Sequence, residues 1–323
     1  MIPLAIVSRD YSRYQQAFLA STYTDKVELI HAASQANDKV HKYAEIILSE
    51  PDIAASFLPF CKSLKWLQST WAGNNKLQRV KKRDYVLTGT KGIFGAQMRE
   101  YTMAYILYFE RDIPFFLNTQ SKRQWKQKSP STLVGKTLGI MGLGSIGIEL
   151  AKAAKAFGMS LAAITNTQTP LADVDYFRLS ERNEFADCCD FIVNLLPETE
   201  ATKGICDEVF FKAMRANAIF INAGRGTVLK DEQVLVNALD SKQLSAAVLD
   251  VFKEEPLPPD SMLYQHANIF ITNHTAAMSN PEGVFDVFKT NLDRYIRATS
   301  VPTNDANAVK EKLLYVHDFT RGY

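Results

Sequence analysis

Two doubly wound, parallel-sheet α/β domains in one chain are predicted by three observations. Short apolar runs rich in β-branched residues recur between helix-compatible segments along the whole length; a glycine turn, LGIMGLGSIGIE at 138–149, joins one such run to a helix; and charged or imidazole side chains follow the later runs. Strands of a parallel sheet read as near-continuous apolar runs because helices cover both faces. With 323 residues, 46% of them hydrophobic, the chain can fill a separate core in each domain.

Taken in order, the first domain is expected to use LAIVS (4–8), VELI (27–30), EIIL (45–48), LKWLQ (64–68) and DYVLT (84–88) as strands. The apolar spacing of GAQMREYTMAYILYFERDI (95–113) fits a long helix, as does that of VFDVFKTNLDRYIRA (284–298), and these two helices are expected to carry the crossings between domains. Between them, TLGIM (137–141), SLAAI (160–164), FIVNL (191–195), AIFIN (218–222), SAAVL (245–249) and NIFIT (268–272) make a second, six-stranded sheet. The larger domain is thus expected at 97–283, inserted into a smaller one made of 1–96 and 284–323.

Each glycine of Gly142-Leu143-Gly144-Ser145-Ile146-Gly147 has a separate use in a dinucleotide site. The first permits a tight turn, the second lets the backbone approach a pyrophosphate, and the third packs helix on strand. The helix behind them turns its free N–H groups toward the anion. In an open α/β sheet, ligands bind beyond the carboxyl ends of the strands, so the residues after each run test the idea. They are Leu196-Pro197 after the third run, Ala223-Gly224-Arg225-Gly226 after the fourth, Asp250 with Glu255 after the fifth, and Asn273-His274 after the sixth. Singly, Arg225 reads equally well as an ion-pair partner, Glu255 as a solvated loop acid and His274 as a structural histidine. Jointly they fit one reaction: an arginine to grip a carboxylate and polarise the neighbouring carbonyl, a histidine to move a proton, and an acid to orient the imidazole. Hydride transfer at the neighbouring carbon belongs to a nicotinamide.

Other classes are set aside by composition. A net charge of +2 provides no basic field for nucleic acid, and the local runs VKKRDY (80–85) and SKRQWKQK (121–128) read as solvated surface. Cys61, Cys188, Cys189 and Cys206 form no C-x-x-C spacing and read as reduced thiols. No run reaches the ~18 apolar residues of a membrane span, and the apolar part of MIPLAIVSRDYSR is too short for a secretory signal. A cytoplasmic protein that contacts no membrane is expected. Gly135-Lys136-Thr137 mimics the end of a P-loop, but Pro130 stands at its first glycine and the triplet precedes a strand. Leu143 rules out G-x-S-x-G around Ser145, and the five histidines make no metal-ligand spacing, so no metal is expected.

LVGKTLGIMGLGSIG, CDFIVNLLPETEATKGI, FINAGRGTVLKDEQV, AAVLDVFKEEPLP and ITNHTAA together resemble the D-isomer-specific 2-hydroxyacid dehydrogenases, in order and in spacing, over nearly the whole chain. The likeness is greatest to glyoxylate/hydroxypyruvate reductase-like members and includes the closing HDFTRGY. It implies a Rossmann dinucleotide-binding domain inserted into a smaller flavodoxin-like substrate domain. It also implies that Arg225 holds the substrate carboxylate, that His274 is the acid/base and that Glu255 is its partner. The cofactor would be bound by Gly142, Gly144, Ser145, Ile146, Gly147, Leu196, Pro197, Thr202, Ala223 and Gly224, with Asp250 at the nicotinamide amide. LQSTWAGNNKL resembles the family loop whose backbone N–H groups take the carboxylate, which places Ala72 and Gly73 at the site with Trp71 lining it. The chain departs from the family in reading Asn74-Asn75 where Val-Asp is common, and Asn273 where proline usually precedes the histidine.

The resemblance implies reduction of a small 2-keto acid by a homodimer. That dimer would form through the dinucleotide domain, with 99–111 and 121–128 near the partner. Rival readings are a dehydrogenase of a larger or phosphorylated 2-hydroxy acid and a dinucleotide-sensing, corepressor-like binding protein. An acid about 20 residues beyond the glycine turn marks NAD sites, yet SLAAITNTQTP ends with Thr165, Asn166 and Thr167 there. No carboxylate would repel a 2′-phosphate, so NADP(H) is expected in preference to NAD(H).

Overall fold

The computed structural model describes residues 1–129, 131–166, 171–300 and 310–320. The chain divides into two compact units, Met1–Ile93 with Ser279–Tyr323, and Phe94–Met278. The breaks fall slightly before those expected at 96/97 and 283/284. The helix Gly95–Glu110 opens the second unit and the helix Pro281–Thr299 opens the return to the first. No helix among the described residues is long and apolar enough to cross a membrane.

In the first unit, β1 (Ile2–Val7), β2 (Val27–Ala33), β3 (Ile46–Ser49), β4 (Trp66–Ser69) and β5 (Val86–Thr88) form a parallel sheet in the order β2-β1-β3-β4-β5. That is the flavodoxin-like order, and the chain reverses its direction of travel across the sheet at β1, beside β3. Register sets Val7 against Ser49 and Ser49 against Ser69, so the residues after β1, β3 and β4 emerge as neighbours. The returning helix Pro281–Thr299 buries Val284, Phe285, Phe288, Leu292, Tyr295 and Ile296, one stripe at helical spacing. Phe288 and Tyr295 both stack on Trp66, with ring centroids 5.3 Å apart in each case. Trp66 closes that core by donating its indole N–H to Thr88 Oγ1 at 2.7 Å.

In the second unit, β6 (Thr137–Met141), β7 (Ser160–Ile164), β8 (Asp175–Phe177), β9 (Phe191–Asn194), β10 (Ala218–Asn222), β11 (Leu244–Leu249) and β12 (Ile269–Ile271) form a parallel sheet. Its order, β12-β11-β10-β9-β6-β7-β8, is the Rossmann order with one strand more at the β12 edge. Alternate residues feed opposite faces: Met141, Ile192 and Phe220 enter one apolar cluster, and Ile140, Val193 and Ile221 the other. Two expectations need correction. The sheet holds a seventh strand, β8, a short and partly exposed edge strand. The helix read as 95–113 stops at Glu110, because Asp112 takes a left-handed backbone (φ 53°) before a second helix, Ile113–Ser121. Met103 and Ile106 of the first of these helices are buried in the same cluster as Leu138 and Leu161.

Candidate active site

The three glycines of the turn behave differently, and each in the way a dinucleotide needs. Gly142 has φ +102°, which a side chain rarely tolerates, and its N–H donates to the Ile164 carbonyl at 2.8 Å. A Cβ on Gly147 would lie 2.6 Å from the Gly142 carbonyl oxygen and 3.2 Å from Ile140 Cγ2, so the helix Ser145–Ala156 can rest on β6 only without one. Around Gly144 the space is open: a Cβ there would meet nothing within 4 Å. Gly144 is exposed and no side chain caps the helix it precedes. The packing of the protein therefore explains two of the glycines, while the third, with Ser145 and Ile146 behind it, is left accessible. These features fit a bound pyrophosphate.

At the far end of β7, Thr165 is partly buried and Asn166 exposed, with no acid at either position; Thr167 lies outside the described residues. On the other side of β6, the ends of β9 and β10 are tied together by a pair of fully buried asparagines. Asn194 Nδ2 donates to Asn222 Oδ1 at 2.8 Å, and Asn194 Oδ1 accepts from the Leu196 N–H at 3.2 Å. Asn222 in turn accepts from the Gly224 N–H at 3.3 Å and donates to the Arg225 carbonyl at 3.1 Å. The Leu196-Pro197 turn and the Ala223-Gly224-Arg225 turn are thus one assembly. Thr202 secures its outer part, its buried hydroxyl donating to the Pro197 carbonyl at 2.7 Å and accepting from the Thr199 N–H at 2.9 Å.

Gly224 and Gly226 leave no room for side chains. A Cβ on Gly224 would sit 2.8 Å from Asn194 Nδ2, and one on Gly226 would sit 1.9 Å from the Phe252 carbonyl carbon. The guanidinium between them is partly buried, with Nη1 donating to the Gly224 carbonyl at 2.6 Å. Burial lowers the Arg225 pKa from its ordinary value, while the nearby charges of Glu198 and Glu255 act in the opposite sense. An arginine stays charged under any such pull.

Asp250 is the best-connected acid of the unit. Its Oδ1 accepts from Thr272 Oγ1 at 2.6 Å, the Thr275 N–H at 2.8 Å and the Ala276 N–H at 3.1 Å, and the Thr272 hydroxyl also lies 2.8 Å from Tyr101 Oη. The backbone carbonyl of Asp250 accepts from the His274 N–H at 2.8 Å. One nearly inaccessible residue at the end of β11 therefore grips the turn after β12, which holds His274 in a left-handed conformation (φ 55°). Whatever Asp250 does toward a cofactor, it first positions this histidine.

His274 Nδ1 lies 2.8 Å from Glu255 Oε2, and Glu255 Oε1 accepts from the Phe252 N–H at 2.9 Å. Burial alone would raise the pKa of Glu255. The hydrogen bonds from His274 and Phe252 and the charges of His274 and Arg225 outweigh it and hold the carboxyl below its usual range. With Nδ1 so engaged, Nε2 is the ring atom turned to other use.

Arg225, Glu255, His274 and Asp250 are thus gathered at the carboxyl ends of β10, β11 and β12. Trp71, Ala72 and Gly73 belong to the other unit, in the irregular segment directly after β4. There the Trp71 carbonyl accepts from the Thr90 N–H at 3.2 Å, and Trp71 and Ala72 are exposed. Sequence reasoning missed Asn194, Asn222, Thr272 and Tyr101. Their signal was faint: two asparagines end otherwise apolar strands, where an amide has value only if it is hydrogen-bonded.

Residues 103–276 match the family described as D-isomer specific 2-hydroxyacid dehydrogenase, NAD binding domain. A glyoxylate/hydroxypyruvate reductase A of Serratia proteamaculans is 33% identical over 197 residues, 61% of this chain and 63% of that protein. The chain thus spans less than two thirds of the curated relatives' length. A solved D-isomer specific 2-hydroxyacid dehydrogenase family protein of Aeromonas salmonicida is 32% identical, covering 98% of this chain and 99% of its own, with a TM-score of 0.84. A D-isomer specific 2-hydroxyacid dehydrogenase of Xanthobacter autotrophicus, solved in complex with NADPH and MES, is 25% identical over 99% of both chains with the same TM-score. Strand order, glycine turn, the histidine, acid and arginine at the strand ends, and a match over more than half the chain lead to one assignment: this chain belongs to the D-isomer specific 2-hydroxyacid dehydrogenases.

Proposed function

We propose that the protein is a cytoplasmic, NADP(H)-dependent reductase of small 2-keto acids of the glyoxylate/hydroxypyruvate type. The observation that carries this reading is the His274–Glu255 pair, 2.8 Å apart, with His274 on a turn gripped by Asp250. Gly142, Gly144, Ser145, Ile146 and Gly147 would hold the pyrophosphate, and Thr165, Asn166 and Thr167 the adenosine ribose end. Leu196, Pro197, Thr202, Ala223, Gly224 and Asp250 would bound the nicotinamide half. A reduced nicotinamide, when bound, supplies the hydride that the carbonyl carbon receives. Arg225 holds the substrate carboxylate with two donors and draws charge toward the carbonyl oxygen. His274 delivers the proton from Nε2 to that oxygen, which becomes the product hydroxyl, and Glu255 stabilises the imidazolium before transfer. Trp71, Ala72 and Gly73 are assigned to the substrate's carboxylate end.

The test is a panel of glyoxylate, hydroxypyruvate and short aliphatic 2-keto acids with NADPH and NADH. Turnover with at least one acid is expected, at a higher kcat/KM with NADPH. Tight cofactor binding without any turnover would favour a dinucleotide sensor instead, and a tenfold preference for NADH, about 1.4 kcal/mol, would overturn the cofactor assignment. Thr165→Asp is expected to weaken NADPH use and spare NADH, since a carboxylate there would repel the 2′-phosphate. A match to an NADPH-bound relative supports the same choice.

A homodimer formed through the second unit is part of the proposal. Trp125 is 91% exposed within the basic segment 121–128, and Phe116 and Leu117 just before it are exposed as well. Sedimentation at micromolar concentration should give a dimer, and a monomer would contradict this assignment.

A further inference from the structure

Glu50 follows β3 in the first unit, at the point where the sheet order reverses, and is only 5% exposed. One carboxyl oxygen, Oε1, accepts from Ser8 Oγ at 3.0 Å and from the Arg9 N–H at 3.1 Å. The other, Oε2, is buried and has no hydrogen-bond partner among the described residues. Just past the end of the adjacent strand, β4, the Thr70 hydroxyl, in a residue 2% exposed, is in the same condition. The two are neighbours by register, for Ser49 pairs with Ser69 and the Thr70 N–H donates to the Ser49 carbonyl at 3.1 Å. Thr70 is followed directly by Trp71, Ala72 and Gly73.

A buried polar group without a partner is unfavourable, and two such groups on residues that adjoin by register at the ligand-binding edge of a parallel sheet form a pattern that a ligand hydroxyl would complete. We propose that Glu50 and Thr70 form a subsite for the uncharged, hydroxyl-bearing tail of a short 2-keto acid, one that disfavours a tail ending in carboxylate or phosphate. This rests on the reading that Trp71, Ala72 and Gly73 take the substrate carboxylate. A tail hydroxyl can donate to Glu50 Oε2 and accept from Thr70. Arg9, whose Nη1 lies 4.0 Å from Glu50 Oε1, is already held in two contacts by Asp52, at 3.2 and 2.5 Å, and so is engaged before an anionic tail arrives. Burial raises the Glu50 pKa, an effect only partly offset by backbone hydrogen bonds, the Ser8 hydroxyl and the Arg9 charge.

The experiment compares kcat/KM for glyoxylate, which has no tail, hydroxypyruvate and oxaloacetate, in the wild type, Glu50→Gln and Thr70→Val. Glu50→Gln keeps the side-chain volume and the oxygen that Ser8 and Arg9 contact. It is expected to raise the oxaloacetate-to-hydroxypyruvate ratio about tenfold. Thr70→Val is expected to lower the hydroxypyruvate-to-glyoxylate ratio about five- to tenfold, the loss of one hydrogen bond to substrate. Unchanged ratios, or equal losses on all three acids, would show that both groups serve the fold alone and overturn the subsite while leaving the proposed reaction intact. A wild type that turns over none of the three would remove that reaction and this inference with it.

Discussion

Replacing His274 with alanine is expected to lower kcat by ~10²–10⁴-fold while NADPH binds as before. The separation of effects follows from placement. His274 stands at the end of β12, its Nδ1 occupied by Glu255 at 2.8 Å, whereas the glycine turn that would anchor the cofactor lies between β6 and the helix Ser145–Ala156. Fluorescence titration with NADPH checks the binding half and single-turnover kinetics the chemical half. Near-normal turnover in this variant would refute the assigned mechanism. The same pair carries a pH expectation. Glu255 is held below its usual range, so the stabilisation that its ionised form contributes is in place above the ordinary glutamate pKa. It is lost only as pH falls through the depressed value.

Arg225→Ala is expected to reduce kcat/KM for every 2-keto acid by about 10³-fold, the scale on which preorganised donors at a reacting carbonyl act, with cofactor affinity retained. Arg225→Lys should recover little of it. A lysine is a point charge without the planar fork that grips a carboxylate through two donors. The Asn222 side chain fixes the Arg225 carbonyl at 3.1 Å, so the main chain of the arginine is anchored independently of its guanidinium, and the substitution tests the side chain alone. The measurement is a steady-state comparison across glyoxylate and hydroxypyruvate. A rise in KM without any fall in kcat/KM beyond tenfold would assign the carboxylate to another residue.

The architecture was readable because its strands announce themselves. Runs such as AIFIN and SLAAI are apolar on both faces, and β10 and β7 occupy those residues. β8 escaped notice because it is three residues at a sheet edge, Asp-Tyr-Phe, with too little apolar length to rise above its surroundings. The break at Asp112 escaped for another reason: helical periodicity continues through ERDI, and what interrupts it is the left-handed backbone of Asp112 just ahead of Pro114, which sits in the first turn of the next helix. At the site, charged groups following strands could be found by position. The amide pair Asn194–Asn222 and the three donors that Asp250 gathers from 22 to 26 residues away could not, since such contacts depend on register between strands. Glu50 was invisible for the same reason: in the sequence it is one acid before a proline.

The grip of Asp250 on the turn after β12 has a consequence for the timing of entropy loss. A free five-residue loop would have to be gathered afresh whenever a substrate arrived, at a cost of about 1–2 kcal/mol for each residue ordered. Here Thr272, Thr275 and Ala276 are already bound to one carboxylate, and His274 already sits in its left-handed conformation. The disorder of that loop is thus surrendered when the chain folds, so that, if His274 is the proton donor, it would meet substrate already aimed.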